Sequence, residues 1–459
     1  MDGAAIFADD EALPSRVVDD QPEPYHHEKG SLFLKLRSEY AHYAPVGEGE
    51  AYATVTVAAE DELSGAGPRK AVDLMCVLDR SGSMQGSKLE DMKSALKGVI
   101  QELGASDRVS VVTFSDVASR ETPLVVMSED GKRRVERALL GIFAAGGTNI
   151  GVGLELALSV LHRRRCRNSV TALLLLTDGQ DASAPAALPA LVRKACSDGC
   201  SIYGFGLGTD HDSGLMRNLG EMARSPYTFL RTPADMTPAF QGLLQGIFRI
   251  VAQQVELRVR SSACSLQEVH TPFKVDRPAE GILLVEIPDI MAGEEKTVLL
   301  RLKLEPMLSG EVQLLCCSLA YTDARREVRM RSADETLGVS LRDEVQPDEE
   351  PDEEPDSEVS VKVIMKDVAE VLRAASDAGS SEVARKDLEV QERKLLRLAG
   401  GDDRHAIELQ RVRTAMRDLE KPDARAALGE QMLTMRLQRH CTTPAGMQRT
   451  RCDTIHSQC

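Results

Sequence analysis

The chain has 459 residues, 42% of them apolar, which is enough for two or three domains with cores of their own. It has no tryptophan and only 3% aromatic residues, so stacking platforms for sugars or single-stranded nucleic acid have little material. The formal net charge is −16, but ten acids and no base fall between Asp343 and Glu358, leaving only about −6 elsewhere; a phosphate backbone would be repelled, and nucleic acid is not an expected partner.

Residues 1–30 are polar and acidic, with Pro22 and Pro24, and are expected to be disordered. They lack the basic start and long apolar stretch of a secretory leader. No segment approaches the ~18 apolar residues of a membrane helix, so no membrane span is expected and a cytoplasmic location is the default. The ten cysteines include no C-x-x-C pair and read as free thiols of a reducing compartment. Within 31–69, Ser31 to Arg37 and Tyr52 to Ala58 alternate apolar with polar residues, as half-buried strands do.

The texture changes over 70–251. Strands apolar throughout are expected at Val72 to Leu78, Arg108 to Phe114, Val170 to Leu176 and Ser201 to Leu207. Helical patterns separate them at Lys88 to Leu103, Lys132 to Phe143, Ile150 to Arg164, Ala187 to Ser197 and Ala234 to Ile250. This alternation predicts a doubly wound, mostly parallel α/β sheet covered on both faces. Ser87 to Glu90 (SKLE) reads as a capping box, and His162 to Arg167 as the solvated basic end of a helix.

Residues 252–342 return to short alternating strands, the pattern of an antiparallel β-sandwich. The strands of 31–69 are expected to complete it, which would insert the α/β domain within the sandwich. An acidic, proline-punctuated linker follows at 343–358, then a helical region at 359–440. There Val361, Ile364, Val368, Val371 and Leu372 keep helical spacing, with further helices at Leu388 to Leu398, Ile407 to Leu419 and Ala424 to Gln438. Residues 441–459 read as an irregular tail.

The chemistry concentrates where apolar strands end. Asp79-Arg80-Ser81-Gly82-Ser83 follows the first apolar run, Gly146-Gly147-Thr148-Asn149 precedes a helix, and Leu173 to Leu176 runs into Thr177-Asp178-Gly179. Taken singly, each is an ordinary turn: Ser81 and Ser83 could satisfy backbone donors, Thr148 could steady a turn, and Asp178 could form an Asx-turn. Together, two carboxylates and three hydroxyls at the carboxyl ends of strands make an oxygen site for a hard divalent cation: Mg²⁺, or Mn²⁺ or Ca²⁺.

On these residues, 70–251 resembles a von Willebrand factor type A (VWA) domain. Asp79, Ser81, Ser83, Thr148 and Asp178 match the family's metal-ion-dependent adhesion site one for one. The resemblance implies a metal-dependent protein-interaction module or scaffold, not an enzyme, in which the cation takes a Glu or Asp from a partner protein. Some of the five would bind the cation directly and others through water. With its flanking strands and helices, the chain looks like the intracellular VWA proteins of plants and protists. Some of those carry a RING finger, but no cysteine and histidine spacing here could hold its two zincs. Gly86 and Ser87 stand where integrin-type domains often place an acidic pair, so no adjacent cation site is expected.

Three rival readings stay open at this point. A haloacid-dehalogenase-like phosphohydrolase would use Asp79 as nucleophile, Thr148 for phosphate, and Asp178 with Asp181 for magnesium; Ser81 stands where its general acid belongs. Gly82 to Lys88 superficially suggests a phosphate loop, but the G-x-x-x-x-G-K-[ST] order is not met. The C-terminal helices could also do the recruiting as a scaffold.

Overall fold

In the computed structural model the described residues are 30–43, 49–60, 70–341 (except 180, 182–183, 209–210, 224, 226, 305–309 and 325), 354–378, 381–399, 405–419 and 441–442. The disorder expected for 1–29, most of the linker, the helix expected at Ala424 to Gln438 and most of the tail lie outside them.

Three strands open the chain: β1 (Leu32–Ser38), β2 (His42–Tyr43) and β3 (Gly49–Ala59). The α/β layer follows as β4 (Val72–Asp79), α1 (Ser87–Glu102), β5 (Arg108–Phe114), β6 (Ala118–Arg120), β7 (Val125–Val126), α2 (Glu129–Leu140) and α3 (Ile150–Arg163). It continues with β8 (Val170–Thr177), α4 (Ala184–Ser197), β9 (Cys200–Leu207), α5 (Ser213–Met222), β10 (Thr228–Leu230) and α6 (Met236–Phe248). Then come β11 (Ile250–Ser261), β12 (Cys264–His270), β13 (Lys274–Ala279), β14 (Ile282–Ile287), β15 (Ile290–Met291), β16 (Glu295–Leu304), β17 (Gly310–Asp323), β18 (Val328–Arg331) and β19 (Glu335–Leu341). Helices α7 (Ser357–Ala378), α8 (Ser381–Ala399) and α9 (Ala406–Asp418) follow, and β20 (Cys441–Thr442) is the last described element.

The α/β sheet has the order β10-β9-β8-β4-β5-β6, parallel from β10 to β5. Every residue of β4 and β8 is buried, because helices cover both faces. The period of two divides β4 between two cores: Leu74, Cys76 and Leu78 face α1 and α6, while Met75 and Val77 face α3.

The remaining strands form two antiparallel sheets, β1-β3-β16-β12 and β13-β14-β11-β17-β19-β2, with one parallel pair where β2 joins β19. They share one core, in which Val55 and Val57 meet Val298 and Leu300, and Val255 and Leu257 meet Leu319. β3 therefore pairs with β16, across the whole α/β layer in sequence. Helices α7, α8 and α9 bury their own stripe, including Val368, Leu372, Leu388 and Val412, and Lys366 on α7 lies over the Tyr52 ring of β3.

Several local expectations change. Ser87 does not cap α1; Gly86 is the N-cap, at φ 87° and without a side-chain bond, and Glu90 pairs with Lys93 instead. The helix expected to reach Ile250 ends at Phe248, and Ile250 opens β11. Strands β12 and β13 depart from the regular alternation expected of 252–342: a bulge at Leu266/Glu268 interrupts one, and Pro278 sits in the other at the sheet edge. The end of the acidic segment is not linker. Asp356 accepts hydrogen bonds from the Glu358 and Val359 amides at 2.9 and 3.1 Å, starts α7, and pairs with Arg37. Within the expected tail, Cys441 and Thr442 pair with Lys296 and Glu295. The basic run is not wholly solvated either, since Arg164 is buried and bonds Asp73 at 3.0 Å.

Candidate metal centre

β4 and β8 run in register to Leu78↔Leu176, so their carboxyl ends place Asp79 beside Thr177 and Asp178. Asp79 is fully buried: one carboxylate oxygen accepts the Ser81 amide at 2.8 Å, the other the Thr177 hydroxyl at 2.6 Å. A 3₁₀ turn at Gly82–Met84 then brings Ser83 back, with its hydroxyl 3.0 Å from that of Ser81 and donating to Asp178 Oδ1 at 2.7 Å. Lys88, in the first turn of α1, donates to Asp178 Oδ2 at 2.5 Å.

Thr148 enters through close packing. A Cβ at Gly179 would stand 2.6 Å from Thr148 Oγ1, so only glycine admits the hydroxyl beside Asp178. Two backbone bonds join the loops that carry the site, Gly82 N to Gly146 O at 2.9 Å and Ala145 N to Arg80 O at 2.8 Å. Gly146 takes φ 81°, and Asp116, on the loop leaving β5, accepts the Gly147 amide at 2.9 Å. Asn149 caps α3 by accepting the Val152 amide at 3.2 Å, which sets the loop's exit.

All five residues read as a site are thus brought to one place: Asp79, Ser81, Ser83 and Asp178 in one hydrogen-bonded cluster, Thr148 against it. Sequence reasoning missed Lys88, Thr177 and Asp116. Thr177 could have been found as the hydroxyl before Asp178 at a strand end, and Asp116 as the carboxylate on the third loop at the same sheet edge. Asp181, the other half of the alternative magnesium pair, accepts the Ile150 amide at 2.7 Å at the start of α3.

The donor set fits a hard divalent cation: oxygen only, two carboxylates and three hydroxyls, at the carboxyl ends of parallel strands. Among the described residues no cluster of three His, Cys, Asp or Glu side chains is placed to hold a metal, so the hydroxyls are essential to any such site. Burial pushes the Asp79 carboxyl above its usual range; hydrogen bonds from Ser81 and Thr177 pull it back in part, and the Asp178 charge raises it further. No described cation contacts the Asp79 carboxylate, and a divalent ion would supply the missing charge.

Residues 73–243 match the von Willebrand factor type A domain family. This part of the chain is a VWA domain. E3 ubiquitin-protein ligase WAV3 of Arabidopsis thaliana is 28% identical over 288 residues, which cover 59% of this chain but only 36% of WAV3. The uncharacterized protein sll0103 of Synechocystis is 24% identical over 318 residues, 66% of this chain and 73% of that one. Outside the VWA domain the architecture also has a counterpart. The solved structure of a von Willebrand factor type A protein from Catenulispora acidiphila covers 92% of this chain and 99% of its own length, at TM-score 0.66 and 17% identity.

Proposed function

We propose that this protein is a metal-dependent interaction protein, not an enzyme, whose VWA domain captures an acidic side chain of a partner protein through a divalent cation. VWA domains are commonly metal-dependent protein-binding modules. The observation that carries the reading is the buried Asp79 carboxylate, met only by neutral donors and joined to Asp178 through Ser81 and Ser83. Asp79, Ser81, Ser83, Thr148 and Asp178 would hold Mg²⁺, or Mn²⁺ or Ca²⁺ in its place. When bound, the cation supplies positive charge that attracts a carboxylate oxygen.

The protein's own contribution is positioning and selectivity. Asp116 and the two backbone bonds to Arg80 and Gly82 hold the Gly146–Gly147 loop against the serine loop. Phe143, Leu140 and Val117 are 72, 62 and 63% exposed on segments adjoining these loops, and they offer apolar contact to a partner around its acidic residue. The phosphohydrolase alternative is weaker, because Asp181 is committed to the α3 amino end. WAV3 is named a ubiquitin ligase; we carry over partner binding from the shared region and not the ligase activity, for which no zinc-holding spacing is present.

Affinity capture from a native lysate tests this, comparing wild type with Asp79→Ala, each with Mg²⁺ and with a chelator. A partner retained only by wild type with Mg²⁺ is the expected result. Capture unaffected by both the chelator and the substitution overturns it, and points to the C-terminal helices.

A further inference from the structure

Away from the metal centre, beside the amino end of β9, the VWA layer and the sandwich border a half-open cavity of about 650 Å³. That is the size range of small-molecule sites, which favour such junctions between layers. The chain has nine phenylalanines and seven tyrosines; four of these rings, Tyr203, Phe205, Tyr227 and Phe273, lie on the cavity wall.

The wall is rich in polar groups, including four acids (Glu256, Glu286, Asp289, Glu294) and four bases (Arg217, Lys274, Lys296, Arg329), and they are unevenly satisfied. Asp289, in the turn between β14 and β15, accepts three hydrogen bonds, all on Oδ2: from Ser201 Oγ at 2.5 Å, Tyr203 Oη at 3.1 Å and Gln253 Nε2 at 3.1 Å. All three donors are neutral, and Oδ1 takes part in none of these bonds. Lys296 gives its ammonium to the Asp289 backbone carbonyl at 2.5 Å and not to the carboxylate. Glu286 and Glu294 on the same wall pair with Lys274 and Lys296 at 3.3 and 3.7 Å, whereas Asp289 and Glu256 have no described cation within ion-pair distance and Lys296 acts on the Asp289 carboxylate only from farther away. Arg217, also on the wall, is solvent-exposed. Burial pushes the Asp289 carboxyl above its usual range despite its donors. Ser225, 7% exposed, also lines the cavity, and its buried hydroxyl has no hydrogen-bond partner among the described residues.

The backbone is bent to build this wall. β11 carries a bulge between Gln253 and Glu256, and Gln254 adopts φ 53°, a left-handed conformation rare outside glycine. Its side chain donates to Cys196 O at 2.9 Å and accepts from Thr322 Oγ1 at 3.0 Å, which fixes the bulge and aims Gln253 at Asp289. Strain of this kind persists where the surroundings enforce it, and it gathers at ligand sites.

We propose that this cavity binds an amphipathic amine, with a protonated nitrogen paired to Asp289 and an apolar body packed against Tyr203, Tyr227 and Phe273. A carboxylate on a wall that also carries aromatic rings suits an organic cation, which gains from ion pairing and from contact with a ring together. The site is independent of the metal centre, so a failure of one leaves the other standing.

The test is a fluorescence titration of the full chain with dansylcadaverine, a primary amine on an apolar fluorophore, beside its N-acetyl derivative, which has the same body without the charge. Wild type is expected to give a saturable, blue-shifted rise, with the acetylated probe weaker by about tenfold or more. Asp289→Asn is expected to weaken the amine by a similar factor, and Ala239→Phe, which fills the cavity, to abolish binding, with thermal unfolding checking that both variants fold. No saturable binding by wild type, or equal binding of the two probes, overturns the proposal; the second outcome needs no variant.

Discussion

One strand carries two buried aspartates with opposite fates. Asp73, at the start of β4, meets two guanidiniums: Arg108 binds both its oxygens at 2.8 and 2.7 Å, and Arg164 adds a third bond at 3.0 Å. Asp79, at the end of the same strand, meets only neutral donors, the Thr177 hydroxyl and the amide and hydroxyl of Ser81. The first carboxylate is saturated by the chain's own cations and serves the fold. The second is desolvated without a countercharge, a state that costs free energy unless a cation arrives from outside. Burial alone does not separate a structural acid from a binding one; the source of the countercharge does.

The largest effect should come from the structural end. Asp73→Ala leaves Arg108 and Arg164 buried without their partner and is expected to cost about 3–5 kcal/mol in chemical denaturation, whether or not Mg²⁺ is present. An equal, Mg²⁺-independent loss for Asp79→Ala would break the comparison. Asp178→Ala should instead weaken Mg²⁺ binding by about a hundredfold or more in calorimetry while sparing the fold, since it removes one of two anionic donors. Next is Lys88. Its ammonium already occupies Asp178 Oδ2, so Lys88→Gln should tighten Mg²⁺ by about tenfold, or 1.4 kcal/mol; unchanged or weaker binding would show that the lysine supports the site instead of competing for it.

The smallest effect is a pH dependence. The folded-state pKa of Asp79 is raised, so without metal the folded state holds its proton more firmly than the unfolded chain does. Its contribution to stability is then present at low pH and lost as pH rises from the ordinary value of 3.8 through the raised one. Saturating Mg²⁺ should reverse the trend over that window, because the cation binds the ionised form. Subtracting the pH profile of Asp79→Asn isolates the term; a difference curve that is flat with and without Mg²⁺ would refute it.

What was legible in the sequence follows the same division. β4 and β8 announce themselves by being apolar on both faces, and the site residues follow because ligands gather at the carboxyl ends of such strands. Lys88 was hidden by its setting: a lysine in the first turn of a helix has no spacing signal, and only the path of the chain aims it at Asp178. Arg164 was read as solvent-facing because it stands in a basic run. The contrary clue was Asp73, a charge inside an apolar strand that demands a buried cation. In the sandwich, β14 and β19 alternate cleanly, whereas the bulges in β11 and β12 shift the pattern that a period of two relies on.

The pairing of β3 with β16 has a consequence for how the chain is made. β1 and β3 leave the ribosome as a hairpin whose apolar face, Ala51, Val55 and Val57, has nothing to cover it until β16 and β11 are translated. The whole VWA domain is synthesised in that interval and can fold on its own local contacts first. The hairpin is therefore the segment that needs shielding during biogenesis, and a pause in translation before β16 would prolong its exposure more than that of any strand in the parallel sheet.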